Sequence, residues 1–175
     1  MDIFFKIKVV LTIFFIIISV PILKAMLGAP FVPTPKKTML RMFEIAKLKK
    51  GQKVYDLGCG DGRFVRFASR KADARAVGIE LNPALYLYSK IKSLFHPNET
   101  ILYQDLFKAD LRDADVVICY LLPKTMHKIE NKLQQELKKG AKVISHGFKF
   151  KNWEPLQTLL PGKKEYGKIY VFEKC

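Results

Sequence analysis

Acidic residues are scarce in this chain: 16 Asp and Glu stand against 31 Lys and Arg in 175 residues, a net charge of +15. That imbalance calls for an anionic partner, either nucleic acid or an anionic membrane surface; the alternative is a merely solvated basic face. The lysines gather before the first strand (Lys47, Lys49, Lys50, Lys53) and around a later helix (Lys124, Lys128, Lys132, Lys138, Lys139). No basic run is interleaved with aromatics, which disfavours single-strand stacking on RNA or DNA. Cysteine is rare too. Cys59, Cys119 and Cys175 are odd in number and lack C-x-x-C spacing, so no disulfide framework and no metal site is expected, and the compartment reads as reducing. His96, His127 and His146 are scattered and read as surface or satisfied residues rather than ligands. Internal repeats and low-complexity tracts are lacking. The length allows one α/β domain with a sizeable core and one appendage, but not two full domains.

The appendage is at the front. Val9 to Leu23 carry no charge, and the uncharged helix this implies reaches about 31 Å if extended from Ile3 to Leu23 with Lys6 and Lys8 snorkelling. That length matches a hydrocarbon core, so residues 1–28 are expected to form an uncleaved, single-pass membrane anchor. A signal peptide is the weaker reading, because cleavage after Ala25 or Ala29 would put Leu23 or Leu27 where a small residue is needed. An in-plane helix would require a polar face, which is missing. Lys24, Lys36, Lys37 and Arg41 outnumber Lys6 and Lys8, so the positive-inside rule points the remaining domain to the cytoplasm, or to the matrix of an organelle. Residues 29–52 then form a Pro-rich linker and a pre-domain helix, with Thr34 as N-cap and Pro35 in the first turn.

The chemistry is carried by residues 53–175. Val54 to Leu57 reads as a strand running into Gly58-Cys59-Gly60-Asp61-Gly62, and Arg63 to Arg70 has helical apolar spacing. A second strand over 75–79 runs onto Glu80, about 20 residues beyond the glycine loop, where a carboxylate can accept both hydroxyls of a ribose. Dinucleotide folds need G-x-G-x-x-G to seat a pyrophosphate. Here the glycines are spaced by two, and Asp56 and Asp61 flank the turn. Two carboxylates would repel a pyrophosphate but favour the cationic amino group and sulfonium of S-adenosylmethionine. The loop therefore resembles motif I of the class I methyltransferases. Asp105, after a third strand over 100–103, is a candidate acceptor for an adenine amino group, with Leu81 and Leu106 on either side of the ring. As a plain turn residue or helix cap it would instead be structural.

Asp115 to Leu122 has the continuous apolar run of a strand buried on both faces, and ends Tyr120-Leu121-Leu122-Pro123. A helix over 124–139, a strand over 141–146 and two short strands near 155–158 and 168–173 complete the pattern. The expected fold is α/β, a Rossmann-like, mostly parallel seven-stranded sheet, preceded by one transmembrane helix.

Several segments together narrow the family: Pro30 to Pro35, Val54 to Arg63, Gly78-Ile79-Glu80-Leu81-Asn82-Pro83, Asp113 to Val117 with Tyr120-Leu121-Leu122-Pro123, and Ser145-His146-Gly147-Phe148. They resemble the membrane-anchored seven-strand lysine methyltransferases of mitochondria, which modify the ADP/ATP carrier and the c-type ring protein of ATP synthase, and their prokaryotic relatives. The resemblance implies methylation of a protein lysine, with membrane proteins among the candidate acceptors and S-adenosylmethionine as cofactor. It also implies that Phe31 to Pro35, Thr34 included, folds over the cofactor, and that the loop residues Asp56, Gly58, Cys59, Gly60 and Asp61 hold it. Base-methylating enzymes carry Asn or Asp, then Pro-Pro and an aromatic, after the fourth strand. Tyr120-Leu121-Leu122-Pro123 departs from that pattern and disfavours a nucleobase acceptor. Tyr120 is the candidate catalytic residue, placed to orient an amine against an apolar wall of Leu121 and Leu122; packing at a strand end is its structural alternative. A methyltransferase for RNA or a small molecule, and a membrane-tethered module that binds S-adenosylmethionine without catalysis, remain the other function classes.

Overall fold

The computed structural model describes residues 3–26, 31–162 and 167–175, with side chains of the first helix described for residues 3–19. Two compact units result, Met1–Phe31 and Val32–Cys175.

The first unit holds helix α1, Ile3–Met26. Its large apolar side chains from Ile3 to Ile18 are exposed, which is the reverse of a helix built into a protein core. The expected membrane span is not reproduced. Among the described residues no helix is long and apolar enough to cross a membrane. Residues 20–23, which complete the expected span, lie outside the described side chains.

The second unit is an α/β domain. Helix α2 (Lys36–Ala46) leads into β1 (Lys53–Leu57), α3 (Arg63–Ala72), β2 (Arg75–Glu80), α4 (Pro83–Ser93) and β3 (Glu99–Tyr103). Then come β4 (Val116–Cys119), α5 (Pro123–Glu136), β5 (Lys142–His146), β6 (Gln157–Leu159) and β7 (Ile169–Glu173). The seven strands lie in the order β3-β2-β1-β4-β5-β7-β6. The first five are parallel, and β7 inserts antiparallel between β5 and β6. The order reverses between β1 and β4, so the carboxyl ends of those strands flank the crevice where ligands of such sheets bind.

Burial follows from the apolar runs. Every residue of β4 is buried, as expected of a strand covered on both faces. Leu57, Val117, Val143 and Phe172 pack against Ile129 and Leu133 of α5 on one face. Val54, Ile118 and Ile144 pack with Met39, Met42, Phe64 and Val65 from α2 and α3 on the other. The chain between β5 and β6 has no helix; the buried carboxylate of Glu130 accepts N–H bonds from Lys151 (2.9 Å) and Asn152 (2.8 Å). Phe150, Trp153 and Phe172 stack beside that turn with centroids 4.7–5.4 Å apart.

Several expected boundaries move. Pro35, not Thr34, caps α2, and its carbonyl accepts from Met39 N at 2.9 Å. The fourth strand stops at Cys119, because Tyr120 to Leu122 have no strand partner beyond Ser145 and turn instead into α5 with Pro123 at its start. α5 ends at Glu136, three residues before the expected stop, because Leu137 turns extended (φ −66°, ψ 137°) to bury its side chain in the core. β2 gains Glu80, which pairs with Tyr103.

Candidate functional site

The glycine loop turns on three left-handed residues: Gly58 at φ 74°, Gly60 at 55° and Gly62 at 73°. Such angles strain any residue with a Cβ, so the sharp exit from β1 requires glycine here. The loop is tied to the end of β2. Gly58 N and Cys59 N both donate to Ile79 O, at 2.9 and 3.0 Å, and Gly60 N donates to Glu80 Oε2 at 2.8 Å. Glu80 Oε1 accepts from Leu81 N at 2.9 Å and Asn82 N at 2.7 Å. Three N–H donors thus clamp one carboxylate between the two loops. A carboxylate offers about four lone-pair positions, so one acceptor position is left, enough for one ribose hydroxyl rather than the two expected.

Asp56, expected beside the loop, is buried and accepts no hydrogen bond from the described residues. Burial, then the charges of Glu80 and Asp61, push its carboxyl up to about 7. Asp61 is different. Expected as a second free acid, it is held by its neighbour: Arg63 Nη2 donates to Oδ2 at 2.8 Å and Arg63 Nε to Oδ1 at 3.0 Å. Burial raises the Asp61 carboxyl, but the Arg63 hydrogen bonds and charge outweigh that and hold it below the usual carboxylate range. Of the two carboxylates that flank the turn, Asp61 is paired with Arg63 and Asp56 has no hydrogen bond among the described residues.

Cys59 is also corrected. Its side chain is buried in the core rather than in the crevice, where desolvation pushes the thiol far up. It fills the space beside Gly78, where a Cβ would sit 2.6 Å from its Sγ. Only its backbone belongs to the loop. Thr34 is not a cap but an anchor point: Arg63 Nη1 donates to its carbonyl at 3.2 Å, tying the pre-domain segment to the glycine loop. Asp105 accepts from Phe107 N at 3.0 Å and so caps a short 3-10 turn, Leu106–Lys108. Leu106 packs partly against the core, and Leu81 is exposed.

Tyr120 lies half-buried at the end of β4. Its ring stands 4.3 Å from that of His146, tilted 47°, and a Cβ on Gly147 would come within 3.2 Å of Tyr120 Cε2. Leu121 reaches over the glycine loop, where its Cδ2 is 3.1 Å from a Cβ built on Gly58. Leu121 is thereby brought from the far side of the switch point to the loop of β1, while Tyr120 packs against the end of β5.

Sequence reasoning missed Arg63, Arg66 and His146 at this site. Arg66 Nη1 donates to Asp61 O at 2.6 Å. The Asp61-x-Arg63 spacing was the available signal for the first pair, since a side chain two residues past a turn carboxylate can fold back on it.

The residues fit S-adenosylmethionine: a glycine cradle with no Cβ in the way, a ribose-seeking acid at the end of β2, and a buried carboxylate that has no hydrogen-bond partner among the described residues and is suited to a cationic amino group. Residues 56–157 match the family model described as the ANTKMT methyltransferase domain. A protein-lysine N-methyltransferase of Saccharolobus islandicus is 37% identical over 74% of this chain and 83% of its own length. The chain belongs to this family. It is an S-adenosylmethionine-dependent methyltransferase. A rat lysine N-methyltransferase named for the c-type component of ATP synthase is 36% identical over 74% of this chain, which spans 60% of that enzyme. Among solved structures, an RNA methyltransferase from Salinibacter ruber bound to S-adenosylhomocysteine superposes with a TM-score of 0.72 at 36% identity, over 81% of this methyltransferase and 93% of that chain. These similarities carry the cofactor and the α/β sheet; the acceptor differs from one relative's name to the next.

Proposed function

We propose that this methyltransferase modifies the side-chain amine of a lysine in a protein, and that the protein is a membrane one. The observation that carries the acceptor is the meeting of Leu121 with the glycine loop, next in the chain to Tyr120, with no Asn/Asp-Pro-Pro-aromatic segment to hold a nucleobase edge. The names of the Saccharolobus and rat relatives support the same reading.

S-adenosylmethionine supplies an activated methyl on a cationic sulfur when bound. Glu80 holds the ribose end, the buried carboxylate of Asp56 meets the amino-acid end, and Leu81, Asp105 and Leu106 line the adenine side. Arg63, through Thr34, holds the pre-domain segment against the loop. The acceptor is the harder problem. A lysine amine with an ordinary pKa of about 10.4 costs roughly 4.6 kcal/mol to hold neutral near pH 7. Leu121, packed over the glycine loop, would exclude water beside it, which favours the neutral amine; Leu122, expected in the same wall, is exposed at the start of α5. The Tyr120 hydroxyl would orient the amine, and His146 backs the ring. With the cofactor bound, that nitrogen would take the methyl as the S–CH3 bond breaks, S-adenosylhomocysteine would leave, and one amine proton would pass to solvent.

The membrane reading rests on α1. Its exposed apolar side chains and the uncharged sequence to Leu23 suit it to anchoring the chain in a bilayer, with the domain on the cytoplasmic or matrix side. The basic surface suits the anionic headgroups there.

RNA is the second reading, favoured by the Salinibacter structure's name and by the net charge of +15. Incubating membranes and ribosomal fractions with methyl-labelled S-adenosylmethionine separates the two. Label in a protein band, recovered as methyl-lysine after hydrolysis, is expected; label only in ribonuclease-sensitive material would overturn the lysine reading. Tyr120→Phe is expected to lower turnover by about 10²-fold while leaving cofactor affinity within a few-fold; unchanged turnover removes Tyr120 from the mechanism.

A further inference from the structure

Helix α4 is built inside out. Its buried positions are Ser89 and Ser93, whereas Leu87, Tyr88 and Ile91, and Leu94 and Phe95 just past its end, face solvent. Spaced by three and four, these five form one apolar stripe along the outer side of the helix. The exposure is large: 58% for Leu87, 60% for Leu94 and 90% for Phe95. The inward face is small for a packing reason, since a Cβ on Gly62 would meet Ser89 Cβ at 3.0 Å, leaving no room for a larger residue between α3 and α4. Nothing comparable requires the outward face to be apolar. A contiguous apolar stripe of this kind on a folded domain marks an interaction surface.

The charges beside the stripe identify what it meets. From Leu81 to Asn98 there is no acidic residue, and the basic ones, Lys90 and Lys92, lie on α4 itself. Lys92 Nζ stands 5.7 Å from the Tyr88 ring centroid, so its stem lies along the stripe. A second copy docked on this face would bring the lysines of both helices together with no carboxylate on α4 to pair them. Nucleic acid would satisfy the lysines but leave the leucines and Phe95 against water or phosphate. An anionic bilayer satisfies both, because apolar side chains enter the acyl boundary while lysines meet headgroups.

We propose that the outer face of α4 is a lipid-docking surface for an anionic membrane, a second contact independent of α1. The helix begins three residues past Glu80, so docking it holds the cofactor end of the sheet beside the membrane plane. The inference adds to the membrane reading above but rests on a different helix, and the two are tested separately.

The full chain, with Cys175→Ser removing the exposed native thiol, is labelled with an environment-sensitive dye at Ile91→Cys or Phe95→Cys, and at Lys139→Cys as a control. It is reconstituted with vesicles of phosphatidylcholine alone or with a third phosphatidylglycerol. Flotation with the vesicles reads the anchor; the dye reads α4. The expected result is a blue shift and quenching by brominated lipid at 91 and 95 in anionic vesicles. The shift should be reduced at least severalfold by Lys90→Gln with Lys92→Gln, while position 139 stays unshifted. A chain that floats with water-exposed dye at 91 and 95 overturns the α4 inference and leaves the anchor standing. A blue shift that appears without lipid and grows with protein concentration assigns the stripe to self-association and also overturns it. A shift equal at 139 overturns it as well, since it would report a general effect of the vesicles.

Discussion

The fold alters the chemistry of Asp56 strongly. An aspartate in water ionises near 4, but here the folded, cofactor-free protein keeps its proton until about pH 7. The folded chain therefore binds more protons than the unfolded one between those values, and stability falls as pH rises through that window. Asp56→Asn removes the penalty. It is expected to raise the melting temperature of the cofactor-free protein above pH 7, equivalent to at most about 4 kcal/mol, with the gain shrinking toward zero near pH 4. The same substitution should weaken S-adenosylmethionine by about 10²-fold, as the charge meeting the amino group is lost. In the parent protein, affinity should fall as pH drops below 7, followed by calorimetry across pH 5.5–8.5; a flat profile would detach Asp56 from cofactor binding. Glu80 works by geometry instead. Glu80→Gln points an amide N–H₂ at one of three backbone donors, and is expected to cost about 1–3 kcal/mol of stability along with cofactor binding.

Between elements, the controlling contacts are close ones. β2 passes β1 and the glycine loop with Gly78 against Cys59, so Gly78→Ala forces a Cβ to 2.6 Å from Sγ and within 2.9 Å of Val65 Cγ2. A destabilisation of about 2–4 kcal/mol is expected from denaturant melts, and Cys59→Ala in the same chain should restore part of it. Arg63 links two elements that the chain order keeps apart, the segment before α2 and the start of α3. Removing it frees Asp61 and the Thr34 carbonyl together. Arg63→Ala is expected to raise amide exchange across residues 34–39 and to weaken the cofactor about tenfold; unchanged exchange there would show that the link does not hold the segment.

Across the whole molecule, charge and apolar surface act together. Thirty-one basic residues, an apolar helix α1 and the outward stripe of α4 suit one chain to an anionic membrane. Binding of the intact chain to anionic vesicles should persist in 1 M salt if α1 is embedded, because screening removes only the headgroup attraction. Complete release by salt, read by flotation, would reduce the membrane reading to surface charge alone.

Most of the sheet was legible in the sequence because its strands are short apolar runs punctuated by glycine, proline and charge, a local signal. The glycine loop and Glu80 were legible for the same reason: their spacing is set by one strand, one turn and one crossover. Local pattern also marked Tyr120 and Asp105, without separating a reacting group from a cap or packed ring. Tertiary structure decided which carboxylate stays unpaired, because Arg63 folds back on Asp61 while burial isolates Asp56. It decided that Cys59 faces the core and that α4 turns its serines inward, since both depend on how closely neighbouring backbones approach. Such distances belong to the packed molecule, whereas the composition, the motif spacing and the cofactor class were already determined by the order of residues along the chain.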